Sequence, residues 1–194
     1  MEALEYEVTF EAFKAMIEYA PLMMSSEDCN GWNLLHCACY YNASAEIVQY
    51  IVDNGPSTIL STNKSGMNVL HLASCHNTPI GIVKIIIREA PQGIFACSDT
   101  EGCNLLHLTL RLNATLEIID LILTSMSRAS FFSKNNDGYE PLHYLSEHTE
   151  SKKILQLIIQ RESPSLVLEA LENNKDIIQF ASKELLMNDM KYTY

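Results

Sequence analysis

Four histidines, His36, His71, His107 and His143, are the residues first in line for chemistry, as metal ligands or as general bases. They stand 35, 36 and 36 positions apart, and that spacing works against both roles. Ligands of one metal ion converge to within a few ångströms of each other. Side chains carried once per repeating unit are held apart by the roughly 10 Å between packed helices. The six cysteines, at 29, 37, 39, 75, 97 and 103, make no CxxC pair and no Cys/His zinc spacing. Cys37 follows His36 and Cys75 precedes His76, but neighbours on a helix point in different directions, and no third residue orients either base. Cys37 and Cys39 lie about 200° apart around a helix axis, a poor geometry for a thiol pair. No phosphate loop, GxSxG or HExxH occurs. The reading is of a non-enzyme with no catalytic residue, no cofactor and no metal.

Composition narrows the class. The chain has 194 residues, 47% of them apolar and 19% charged, so it is neither disordered nor fibrous. Its net charge of −11 repels phosphate backbones and argues against nucleic acid as a partner. A protein with a basic surface suits that charge better. All cysteines precede residue 104 and no signal peptide is evident, which reads as reduced thiols in an intracellular protein. The longest apolar run, 80–87, is interrupted by Gly81 and Lys84 and is far too short to span a membrane.

The elements that position these residues recur with the histidines. Gly31, Gly66, Gly102 and Gly138 each close a turn opened by Asp or Asn: Asp28, Asn63, Asp99 and Asn135. Two residues on come Asn33, Asn68 and Asn104, helix-capping types, with Glu140 in the fourth unit. A short first helix follows, then a break, then a more apolar second helix such as Ile47, Val48, Ile51 and Val52 or Ile118, Ile119, Ile122 and Leu123. These landmarks share one register, the mark of a repeat architecture. The units run over 26–60, 61–96, 97–132 and 133–168. Residues 1–25 form an N-terminal half-unit, with Thr9 capping a helix of about 10–20 and Pro21 after it. Residues 169–194 form a degenerate closing unit, opening at 173–181 and continuing in a helix over 177–188. The whole is one domain.

The Asx-x-x-Gly-x-x-x-Leu-His-x-Ala pattern closely resembles the ankyrin repeat, whose consensus carries Thr-Pro-Leu-His-x-Ala. Asn-Leu-Leu-His and Asn-Val-Leu-His replace that tetrapeptide, only the fourth unit keeps its proline (Pro141), and the usual glycine between the helices is missing. From each histidine to the second-helix isoleucine (36 to 47, 71 to 82, 107 to 118, 143 to 154) is 11 residues, one more than the consensus, so a slightly longer loop between the helices is expected. The resemblance implies an all-α solenoid of stacked helix-turn-helix units. It implies structural hydrogen bonding for the four histidines. Small residues at Ala38 and Ala73 permit close packing, and Thr109 and Leu145 at the same position predict looser or shifted packing.

The resemblance also implies binding of another protein through turn tips and the concave face of the first helices. Carried over, those positions include Trp32, Tyr40 and Tyr41; Met67, Cys75 and His76; Cys103, Arg111 and Leu112; and Tyr139, Glu147 and His148. Trp, Tyr and Arg dominate binding hot spots, which points to Trp32, Tyr40 and Tyr41, while Met67 and Cys103 also suit packing against a neighbouring turn. The function read here is a monomeric, non-catalytic adaptor or scaffold. Its alternatives are an acidic inhibitor masking a basic segment, of the transcription-factor-inhibitor or pathogen host-interaction kind, and a fragment of a larger protein.

Overall fold

The computed structural model describes residues 9–76 and 78–161. The end of the fourth unit from 162 to 168, the closing unit expected over 169–194, the first eight residues of the N-terminal half-unit and Asn77 lie outside them. Among the described residues the secondary structure is helical, with isolated bridges at the turns and no strand. The chain divides after Ile94 into two compact units.

In the first unit, α1 (Phe10–Tyr19) starts at Thr9, whose hydroxyl accepts the Ala12 amide, and stops before Pro21. It packs on α3 (Ala45–Asn54), which forms an antiparallel hairpin with α2 (Leu34–Tyr40). The next pair, α4 (Val69–Cys75) and α5 (Ile80–Glu89), repeats the arrangement, α4 beside α2 and α5 beside α3. Helices of seven and ten residues are marginal alone. What holds them is burial of Leu35, Val48, Ile51, Leu70 and Ile86, each at 0% exposure. In the second unit α6 (Leu105–Arg111) pairs with α7 (Leu116–Ser125), a short α8 (Arg128–Phe131) follows, and α9 (Ser151–Arg161) lies beside α7.

The turns are built as their sequence demands. Asp28 Oδ1 accepts the amides of Asn30 and Trp32, both at 2.8 Å, while the Asp28 amide donates to the Trp32 carbonyl at 2.9 Å. Asn63, Asp99 and Asn135 do the same in their turns. The closing glycines have φ between 74° and 82°, where a Cβ is costly. Space separates two of them. At Gly102 an added Cβ would stand 2.5 Å from Asn136 Oδ1 and 3.0 Å from the Asn136 amide. That amide is pinned to the Glu101 carbonyl at 2.9 Å. At Gly138 nothing among the described residues lies within 4 Å. Gly138→Ala should therefore cost about 1 kcal/mol from φ alone, and Gly102→Ala about 3 kcal/mol with the clash added. Equal urea midpoints for the two variants would show that the turn yields at Asn136.

Asparagine replaces the glycine missing between the helices. Asn42 and Asn113 adopt φ of 52° and 56°. Beyond them the Ala43 amide bonds back to the Ala38 carbonyl at 2.8 Å and the Ala114 amide to Thr109 at 3.0 Å, satisfying helix-end carbonyls as a Schellman cap does. The fourth first helix departs from expectation. Pro141–Glu147 is a 3-10 segment rather than an α-helix. In the first three repeats the Asn side chain accepts the amide three residues on, whereas the His143 amide bonds the Glu140 main-chain carbonyl at 3.0 Å, the i to i+3 closure of a 3-10 turn. Thr109 and Leu145 are fully buried at the position where Ala38 and Ala73 stand.

Candidate functional site

Each recurring histidine sits at the third position of its helix and works as a strut. The Asn33 amide donates to His36 Nδ1 at 3.2 Å while Asn33 Oδ1 accepts the His36 amide at 2.9 Å. His36 Nε2 meets the Met67 carbonyl at 3.2 Å, and His107 Nε2 meets the Tyr139 carbonyl at 2.9 Å. A carbonyl only accepts, so the proton resides on Nε2 and Nδ1 is free to take the amide. The capping asparagines reach further. Asn33 Nδ2 donates to the Thr58 carbonyl at 2.9 Å and Asn68 Nδ2 to Ile94 at 3.2 Å. Burial holds the imidazoles of His36, His71 and His107 below the usual range, His71 at about 4. Burial likewise pushes the Cys37 and Cys103 thiols up, and Cys39 to about 12. Thiols so shifted are not thiolate nucleophiles at neutral pH. Asp99, Glu101 and Cys103 bring ligand-type atoms within 4.8 Å of one another. Asp99 Oδ1 there accepts two main-chain amides, and Glu101 pairs with Arg111.

Surface chemistry gathers in two places, one in each unit. In the first, Trp32 is fixed by the turn, through its amide to Asp28 and its carbonyl to the Asp28 amide. Tyr40 ends α2, Tyr41 caps it, and His76 caps α4. The Tyr40 ring lies at the centre, with centroids 4.9 Å from Trp32, 5.0 Å from Tyr41 and 4.5 Å from His76, all edge to face. Tyr41 is 75% exposed and Tyr40 38%. Four of the positions singled out in the sequence thus form one continuous aromatic patch. Cys75, which precedes His76, and Met67 are half-buried, Met67 giving its carbonyl to His36.

In the second unit Arg111, the last residue of α6, pairs with Glu101 at 2.8 Å and lies 5.9 Å from the Tyr144 ring centroid. The half-exposed Tyr139 ring stands 6.3 Å from Tyr144 and 5.5 Å from His143. Leu112 is exposed next to Arg111. Two positions are corrected. Cys103 is fully buried, its sulfur accepting from Asn135 Nδ2 at 3.5 Å. His148 is buried too, its Nε2 on the Ala114 carbonyl at 3.0 Å and its Nδ1 taking the Glu150 amide. Both are internal fasteners, Cys103 under the turn that Asn135 opens and His148 at the end of a 3-10 segment, where Tyr41 and Leu112 at the same repeat position end α-helices and are exposed. The side chain of Glu147 lies outside what the structure describes. Tyr144 was not anticipated; its place directly after a strut histidine gives no outward signal in the sequence.

Among the described residues no helix is long and apolar enough to cross a membrane. A family model of ankyrin repeats, spanning three copies, matches residues 1–95. Comparison with curated proteins gives no match.

Proposed function

For this ankyrin-repeat protein, built from a module that in general mediates protein–protein interaction, we propose the role of an adaptor or scaffold whose binding face is centred on Trp32, Tyr40, Tyr41 and His76. The family is typically non-catalytic, and the proposed role needs no reacting group. The observation that carries the reading is the patch itself. Three large aromatic rings converge at one end of α2, held by a rigid turn on one side and a helix cap on the other, and Tyr41 remains mostly in solvent. Preformed aromatic surface of this kind loses little side-chain entropy on binding, which is why Trp and Tyr dominate hot spots.

The test is an affinity capture from cell lysate comparing the intact chain with the Trp32→Ala/Tyr41→Ala double variant. The expected outcome is a partner retained by the intact chain and lost from the variant, with thermal stability of the variant lowered by less than about 2 kcal/mol for one half-buried and one exposed ring. A larger stability loss would assign the rings to the core. A second reading, masking of a basic segment of the partner, is favoured by the net charge of −11. In that case the captured protein should be released as salt rises from 0.1 to 0.5 M.

A further inference from the structure

We propose that the Trp32–Tyr40–Tyr41 patch receives an arginine side chain from a basic segment of the partner protein, its guanidinium lying against the exposed rings and its charge offset by Glu27 and Asp28. The inference rests on the binding-face reading above and names what that face recognises.

The second unit contains the same chemistry with its cation in place. Steps of 36 and 35 residues carry Arg111 back to Cys75 and then to Tyr40, the centre of the patch. Arg111 has a tyrosine ring beneath it, Tyr144 at 5.9 Å, and a turn carboxylate beside it, Glu101 at 2.8 Å. Ring, carboxylate and guanidinium are all supplied by the chain. In the first unit only two of the three are present. The rings are Trp32, Tyr40 and Tyr41, and the carboxylates are Glu27 and Asp28, at the opening of the turn that carries Trp32. Both carboxylates are exposed, and neither forms an ion pair among the described residues. Asp28 spends Oδ1 on two main-chain amides and, among the described residues, has no hydrogen bond at Oδ2. Lys64, on the adjoining tip, is exposed, and among the described residues the cation found over a ring is Arg111, in the other unit.

Electron-rich ring faces beside uncompensated carboxylates favour a cation. A planar guanidinium suits them better than an ammonium, because it stacks on rings and pairs with a carboxylate at the same time. An acidic or purely apolar segment gains nothing from Glu27 and Asp28.

Trp32 is the single tryptophan of the chain, so its fluorescence reports on this patch without a label. The experiment titrates the full chain with N-acetyl-(Gly-Ser-Arg)4-amide, with the same peptide carrying citrulline in place of arginine, and with a glutamate version. Citrulline keeps the shape and loses the charge. The expected result is a saturable change in Trp32 emission with the arginine peptide, about tenfold weaker with citrulline and absent with glutamate. Tyr41→Ala, which leaves net charge untouched, should weaken the arginine peptide about fivefold, and Glu27→Gln about threefold. Equal affinity of the arginine and citrulline peptides would overturn the inference, as would full affinity in Tyr41→Ala, which would reduce the effect to diffuse attraction by an acidic chain. Lack of a saturable response to the arginine peptide overturns it also. The binding-face reading fails separately, if the Trp32→Ala/Tyr41→Ala variant still captures every partner of the intact chain.

Discussion

Asn104→Ala is expected to destabilise the second unit by about 3 kcal/mol, more than any surface substitution in it. Asn104 Oδ1 accepts the amides of Leu106 and His107, both at 3.1 Å, and so caps α6. Removing such a cap costs about 1 kcal/mol. The same side chain donates through Nδ2 to the Ser130 carbonyl at 2.6 Å and to Ser133 Oγ at 2.7 Å, tying the helix to the segment that precedes the next turn. Alanine removes both of these part-buried bonds, each contributing about 1 kcal/mol, although the Ser130 carbonyl keeps the Ser133 hydroxyl at 2.9 Å. Asn104→Asp divides the two contributions, because a carboxylate still caps the helix but cannot donate. The aspartate variant should therefore lose the Ser130 part alone and gain a little from the helix dipole. Urea unfolding followed by far-ultraviolet circular dichroism measures both. If alanine and aspartate prove equally harmful, the cap contributes little and the tie is the main role.

That double duty explains how much of the fold was legible. Asparagine two residues after a turn glycine reads as a helix cap from the sequence, because capping is a local matter of one side chain and one amide. Its second hand, reaching residues 25 and 26 positions away in the first unit, is tertiary and leaves no local trace. The turn glycines were legible for the same local reason: a positive φ excludes most side chains. Asn42 and Asn113 could be placed in a break between helices, yet their left-handed conformation followed only from the structure. The 3-10 segment at Pro141–Glu147 was not legible. It depends on Glu140 leaving the His143 amide to its own carbonyl, a competition between two acceptors on one residue.

The candidate surface divides in the same way. Repeat register places a residue on the outer end of a first helix, but register does not say whether the helix keeps its α geometry to that point. Tyr40 and Tyr41 sit at the end of a regular α2 and emerge in solvent. His148 follows the 3-10 segment and is drawn inside. Arg111 was marked as a partner-facing cation, and the structure gives it a carboxylate and a ring of its own. A guanidinium already paired has less to offer a ligand than an unpaired carboxylate has. This asymmetry supports the proposal that places recognition in the first unit.

Acid should destabilise the protein through the strut histidines, and His71 should dominate. All three struts with shifted imidazoles are held below the usual value, chiefly because burial disfavours the charged ring. His36 and His107 recover part of that loss through carbonyl bonds to Met67 and Tyr139. His71 is fully buried, its Nε2 has no hydrogen-bond partner among the described residues, and its value falls from 6.5 to about 4. The sign follows from proton counting. Below 6.5 the unfolded chain binds a proton that the folded chain refuses until about 4. The contribution of neutral His71 is thus complete above pH 6.5 and is lost as pH falls through that window, amounting to about 3 kcal/mol in all. His71→Gln removes the titration while keeping an acceptor for the Asn68 amide, since glutamine is a natural third-position partner of a helix cap. At pH 7.5 the variant should be about 1 kcal/mol less stable than the parent, for the packing it gives up. At pH 4.5 the order should reverse, with the variant ahead by about 1 to 2 kcal/mol, because only the parent must refuse the proton. Parallel acid profiles for parent and variant in urea titrations would show that His71 accepts its proton without unfolding.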